Sequence, residues 1–127
     1  MDERYKNSEI TRIWSRGNKL DLWQKTELAV ISAKENLGLL PLGTFQKISL
    51  HLANNAIDIA WWSQRDKEVN HDLNAFLDER LRFLPIELQP YFHDGLTSYD
   101  TEEPAFAKMI LDSLEILKEN IGSLRQV

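Results

Sequence analysis

The sequence has no cysteine, which removes disulfides, thiolate metal sites and cysteine nucleophiles from consideration. Its apolar runs are only a few residues long, far short of a membrane span. The opening MDERYKNSE is charged and carries no apolar stretch, so no secretory leader is expected. Alternating Val/Ile/Thr-rich stretches flanked by Asn-Gly or Asp-Gly turns are also missing, so strand signals are weak. An overall basic balance is lacking too: the formal charge is −5. Binding along a nucleic-acid backbone needs a cationic face to neutralise phosphates, so a nucleic-acid polymer is not an expected partner. The remaining picture is a cytoplasmic protein with no membrane partner.

What is present suits one helical unit. A chain of 127 residues and 14.8 kDa buries roughly two thirds of its unfolded surface, enough for one core. Charge is uneven: positions 1–25 hold six basic and four acidic side chains, the rest nine against sixteen. The early basic excess, which includes Arg16 and Lys19, suits a small anion.

Helical spacing of apolar residues and the placing of Gly and Pro predict six helices. A short one starts at a Ser8 cap, runs through Trp14 and is interrupted near Gly17. A second covers 19–37, with Leu20, Trp23, Leu28, Ile31 and Leu37 in phase and Gly38 as its stop. Others cover 44–54, 57–67 and 71–84, the last halted by Pro85. Positions 85–100 read as loop and short turns. The final helix begins between Thr101 and Pro104, with Pro104 in its first turn, and reaches at least Ile121. Its stripe of Phe106, Met109, Ile110, Leu114, Leu117 and Ile121 has no later element to cover it, so it either folds back or meets another chain. The fold class is all-α: a small helical N-terminal domain, 1–103, followed by the start of a long bundle helix, 104–127.

Three segments concentrate reactive side chains. Between Phe83 and Ala107 there is no Lys or Arg, yet a glycine and two hydroxyls, Gly95-Leu96-Thr97-Ser98, precede a helix start. Such a segment can present N–H groups and hydroxyls to a carboxylate. Equally, Ser98, Asp100 or Thr101 can simply cap the helix. His71 heads a helix with Asp72 beside it, placed to donate one hydrogen bond or accept a proton; a lone histidine is also often a locally bonded surface residue. Arg4-Tyr5 pairs a planar bidentate donor with a phenol, a phosphate grip or else a charged tail. Trp14, Trp61 and Trp62 can stack on a base, though at helical spacing core or interface is the commoner use. His51 reads as solvent-facing, and His71 and His93 lack metal-ligand spacing. No metal or cofactor is expected.

Taken in order, these segments resemble the N-terminal region of adenylosuccinate lyase, of the fumarase/aspartase superfamily. Arg4-Tyr5 with Glu9-Ile10 and Ile13-Trp14 is similar to the family's start. Asn70-His71-Asp72-Leu73-Asn74-Ala75-Phe76 is similar to its His-Asp-Val-x-Ala-Phe helix start, and His93-x-Gly-Leu-Thr97-Ser98-x-Asp100 to its carboxylate loop. The resemblance implies a β-elimination that splits adenylosuccinate into AMP and fumarate, and likewise the succinyl-carboxamide intermediate of purine synthesis. Carried over by position, Arg4 and Tyr5 hold the nucleotide phosphate. His71, the catalytic candidate, assists proton transfer or orients the reacting group, with Asn70 and Asp72 beside the substrate. Thr97 and Ser98 bind the succinyl carboxylate, and His93 supports their loop. The sequence departs from the family in three ways. Asn70 stands where a basic residue is common, Thr-Glu-Glu-Pro replaces the usual run after Asp100, and the segments supplying the second histidine and the mobile serine loop do not occur in these 127 residues. The fragment alone is therefore expected to be inert, and the long helix to begin a bundle that forms a homotetramer. Two other readings remain open: a non-catalytic helical interaction module derived from the superfamily, and a superfamily member with a substrate lacking phosphate, which Arg4-Tyr5 argues against.

Overall fold

The computed structural model describes residues 7–125, so Arg4 and Tyr5 lie outside the described residues. Six α-helices account for most of them: α1 (Ser8–Ile13), α2 (Arg16–Asn36), α3 (Thr44–Ala53), α4 (Ile59–Val69), α5 (Asp72–Leu81) and α6 (Ser98–Leu124). A single 3₁₀ turn, Gln89–Tyr91, interrupts the α5–α6 connection. No strand occurs among the described residues, and no helix among them is long and apolar enough to cross a membrane.

Caps explain most boundaries. The Asn7 carboxamide, not Ser8, caps α1 by accepting from Ile10 N–H at 3.0 Å. The expected interruption near Gly17 falls two residues earlier. Ser15 Oγ accepts from Asn18 N–H at 3.2 Å, so Gly17 belongs to the first turn of α2. Gly38, at φ 72°, ends α2 as expected. Helix α3 has no side-chain cap of its own; Glu35 of α2 accepts from Gly43 N–H at 3.0 Å and Phe45 N–H at 2.7 Å. Those bonds hold the Glu35 carboxyl below its ordinary range. Asp58 caps α4, which therefore starts two residues later than periodicity suggests and continues to Val69.

The largest departure is α6, which starts at Ser98, not in the 101–104 window. Thr97 is its cap: the Thr97 N–H and hydroxyl donate to Asp100 Oδ2 at 2.8 and 3.1 Å. Thr101 is thereby freed from capping and is fully buried. Pro104 falls in the second turn, where it forfeits the helical bond to the Asp100 carbonyl.

The core gathers Leu20, Trp23 and Ile31 of α2, Ile48 and Leu52 of α3, Trp62 of α4 and Leu73 and Phe76 of α5. Trp23 and Phe76 meet edge to face at 5.5 Å. Within this core lies an ion pair, Glu79–Arg80, with neither side chain exposed. Arg80 also donates to Gln24 Oε1 (3.1 Å) and the carbonyls of Asn55 (2.9 Å) and Ala56 (3.3 Å), while Glu79 accepts from Asp58 N–H (3.0 Å). The pair thus satisfies the backbone of the α3–α4 connection, whose polar groups would otherwise be buried unpaired. His51 is half-buried, not solvent-facing.

Helix α6 lies against α2 and α1 through Thr101, Ala105 and Met109. Trp14, just past α1, reaches it twice, with its ring edge-on to Phe106 at 5.8 Å and its indole N–H donating to Ser113 Oγ at 2.9 Å. Beyond Ser113 the helix leaves the body of the fold, and Leu114, Leu117 and Ile121 are half exposed or more. The stripe read from the sequence is present, with only Met109 covered.

Candidate functional site

Helix α4 ends at Asn70, which adopts the left-handed conformation (φ 51°) while its N–H bonds the Asp66 carbonyl at 2.8 Å. Asparagine and glycine are the residues that accept this conformation most readily. Asn70 at this position therefore has a local structural reason. The chain then turns into α5 with His71 as the cap: His71 Nδ1 accepts from Asn74 N–H at 3.3 Å. A ring accepting at Nδ1 carries its neutral-form proton on Nε2, and Nε2 lies 3.3 Å from Ser98 Oγ.

Asp72 is anchored on both oxygens. Oδ1 accepts from Leu73 N–H and Oδ2 from Lys19 Nζ, each at 3.0 Å. Its backbone carbonyl accepts from Trp62 Nε1 at 2.9 Å, which fixes the approach of α4 to α5. The Lys19 ammonium also sits 4.5 Å from the Trp23 ring centroid and 5.4 Å from that of Trp62.

Asn70, His71, Asp72 and Ser98 converge on one open cavity of about 540 Å³, together with Asp66, Tyr99 and Glu102. Burial and the neighbouring Asp72 carboxylate push the Glu102 carboxyl above its ordinary range, against the opposing pull of His71 and Lys19. Asp72 and Glu102 also wall a second cavity of about 480 Å³, lined by Trp14, Arg16, Lys19, Trp23 and Phe106. One face of this pair of cavities is hydroxyl and imidazole, the other cation and indole. Arg16 and Lys19 are the site residues that motif reading left unassigned. The early basic excess is their signal in the sequence.

Two candidates stand apart from the cavity. Both Thr97 donors point at Asp100, and these bonds hold the Asp100 carboxyl below its ordinary range, with a smaller pull from His93. A ligand carboxylate would have to displace Asp100 to reach Thr97. His93, at φ 63°, turns its ring inward, where Nδ1 meets Glu27 Oε1 at 2.7 Å. Thr101 Oγ1 donates to the same oxygen at 2.5 Å. Glu27 was not singled out by motif, although it shares the helical face of Trp23 and Ile31.

A further groove of about 440 Å³ lies against α4 and α5, but its cations are engaged. Arg65 pairs with Asp78 (2.7 Å) and Glu68 (3.1 Å), and Arg82 stacks on Trp61 at 4.2 Å. It shares no residue with the three motifs. Among the described residues no cluster of His, Asp and Glu has metal-binding geometry.

Comparison with known proteins bears on this arrangement. Over all 127 residues the chain is 27% identical to the adenylosuccinate lyase of Methanocaldococcus jannaschii and spans 28% of it. It is 34% identical over 122 residues to that of Thermotoga maritima, spanning 27% of that protein. With that of Synechocystis sp. it shares 32% over 126 residues, spanning 28%. The chain thus covers little more than a quarter of the length of the curated relatives it matches. A crystal structure of fumarate lyase from Mesorhizobium sp. BNC1 matches with a TM-score of 0.87 at 20% identity, over 94% of this chain and 28% of that one. The helical fold is therefore that of a fumarate lyase over this stretch. No family model matches the sequence. The resemblance read from the motifs extends over the whole chain.

Proposed function

We propose that the chain is the N-terminal, substrate-gripping part of an adenylosuccinate lyase. In that reaction a base removes a proton beside a carboxylate, the C–N bond breaks, the departing nitrogen takes a proton, and AMP and fumarate separate. The observation that carries the reading is the 3.3 Å approach of His71 Nε2 to Ser98 Oγ. It joins two motifs lying 27 residues apart over one cavity. With Nδ1 bonded to the backbone, Nε2–H is the available donor, suited to orienting a reacting group or delivering a proton. Ser98 and the α6 N-terminus suit a succinyl carboxylate, and Thr97 joins them once that carboxylate displaces Asp100. Asn70 and Asp72 flank it, His93 supports the loop, and Arg4 and Tyr5 hold the phosphate. The relatives' names support the substrate class, and their much greater length supports an incomplete catalytic set here. The role belongs to purine biosynthesis in the cytoplasm, with residues 1–103 as a helical domain and 104–127 beginning a bundle shared by four subunits. Helix α6 is continuous across that division.

Titration of the chain with succinate and with AMP, followed by backbone and imidazole NMR, tests the reading. Succinate is expected to shift Ser98 and His71, and Ser98→Ala to abolish the response. Indifference of both residues would overturn it. The 127 residues alone are expected not to convert adenylosuccinate, and measurable conversion would contradict the proposed division of labour.

The exposed stripe of α6 favours a second reading, a non-catalytic module that pairs through Phe106, Leu114 and Leu117. Sedimentation of the chain and of a Leu114→Asp/Leu117→Asp variant separates the two. Self-association lost in the variant, without any ligand response in the parent chain, selects the module.

A further inference from the structure

We propose that Glu27 is a positioning residue for the candidate site: it fixes the His93 ring in its Nδ1–H form and, through that ring and Thr101, sets the loop that carries Thr97 and Ser98. The functional half of this statement rests on reading that loop as the carboxylate-binding segment. The ring assignment stands independently of it.

Glu27 is fully buried in the middle of α2, a placement carboxylates avoid unless their oxygens are bonded. Here one oxygen, Oε1, takes two bonds from outside its own helix, from the His93 ring and from the Thr101 hydroxyl. The other, Oε2, is buried without a partner. A carboxylate kept buried with one oxygen idle is a poor stabilising device. Its geometry is instead that of an anchor, since the two bonds clamp both ends of the 93–101 segment onto α2.

The clamp also explains two local oddities. His93 holds a left-handed backbone conformation, which costs a non-glycine residue free energy and persists only when its surroundings enforce it. Thr101, which the sequence offers as a helix cap, is used for the Glu27 bond instead. A carboxylate can only accept, so His93 Nδ1 must donate, which leaves Nε2 of the neutral ring as an acceptor. His71 is the mirror case, with Nδ1 accepting and Nε2 donating. The two motif imidazoles are thereby set in opposite tautomers by fixed partners. Only the His93 setting comes from a residue outside the motifs.

Long-range proton–nitrogen NMR of the chain at alkaline pH, where neutral rings are read, tests this directly. His93 is expected to show a protonated Nδ1 and a bare Nε2, and a His93 ring protonated mainly on Nε2 overturns the proposal without any variant. Glu27→Leu fills the volume but removes the acceptor, so the Nδ1–H form should drop from the major to the minor species. Glu27→Gln keeps an acceptor oxygen and should retain it. If Glu27→Leu leaves the tautomer unchanged in a folded chain, Glu27 is only a space-filling residue. A succinate titration of the same samples reads the consequence, with a weaker Ser98 response in Glu27→Leu than in Glu27→Gln. Should Ser98 ignore succinate in the parent chain as well, the carboxylate-loop reading fails, while the nitrogen spectrum still decides the role of Glu27.

Discussion

Lys19 and Asp72, 53 positions apart, form a 3.0 Å ion pair on the wall of the Trp14–Phe106 cavity, and Asp72 also borders the His71–Ser98 cavity. The pair links α2 to the start of α5, so it settles where His71 stands relative to the rest of the fold. It also stops Asp72 from presenting an uncompensated negative charge to an anionic ligand.

Replacing Lys19 by Met keeps the apolar stem and deletes the charge. The two side chains are 31% and 42% exposed, so solvent screens much of their attraction. The expected loss is below about 1 kcal/mol for the pair, with a similar contribution from the indole contacts. Thermal unfolding should fall by a few degrees, whereas any response of the site to succinate or AMP should weaken much more. A large thermal loss with an unchanged ligand response would assign Lys19 to the core and not to the site.

Much of the fold is legible in the sequence because its signals are local. Gly38 and the stripes of α2 and α3 fix helices through short-range sterics and periodicity, whereas α5 stops at Leu81, short of the expected end at Pro85. The start of α6 is misread because Thr97-x-x-Asp100 and Thr101-Glu-Glu-Pro104 both read as helix starts. What decides between them is Glu27, 74 residues before Thr101, which takes the Thr101 hydroxyl into the core. The site divides the same way. His71, Asp72 and Ser98 are visible because their neighbours form motifs. Glu27, Arg16 and Lys19 enter through tertiary packing, hinted at only by a carboxylate in phase with Trp23 and Ile31 and by the early basic excess.

Arg80→Met leaves Glu79 buried without its cation, with the Asp58 N–H as its remaining partner. Removing one partner of such a pair costs about 3–5 kcal/mol, and here the carbonyls of Asn55 and Ala56 also lose their donor. Urea unfolding should show a midpoint shift of that order with little change in slope. The double variant Glu79→Leu/Arg80→Met should recover part of the loss, because no charge is then stranded. Full recovery would mean the backbone carbonyls find other donors at no cost.

Acid should weaken two helix starts together. Glu35 is held low by the amides of Phe45 and Gly43, and Asp100 by Thr97. For a carboxyl lowered by folding, the unfolded chain binds the proton more tightly than the folded one. The stabilisation is therefore complete above the ordinary carboxylate range of about 4 and is lost as pH falls through it towards the lowered folded value. Urea midpoints should drop across that window. In Glu35→Gln the drop should be smaller, with the two curves converging at the acid end. Parallel curves would show that Glu35 contributes nothing through its charge.

Asn70 separates a backbone requirement from a ligand contact. Its left-handed conformation costs an ordinary L-residue about 1 kcal/mol and costs glycine nothing comparable. Asn70→Gly should therefore leave stability near the parent value, and Asn70→Lys should lose about 1 kcal/mol in urea unfolding. The lysine variant also places a cation beside His71 and Asp72, at the position where the lyases that the motif resembles commonly carry a basic residue. Tighter binding of succinate or AMP by Asn70→Lys, despite its lower stability, would mean that the α4 turn is stabilised here at the expense of an anion contact. Weaker binding would mean that the turn geometry itself, through the start of α5, is what holds His71 in place.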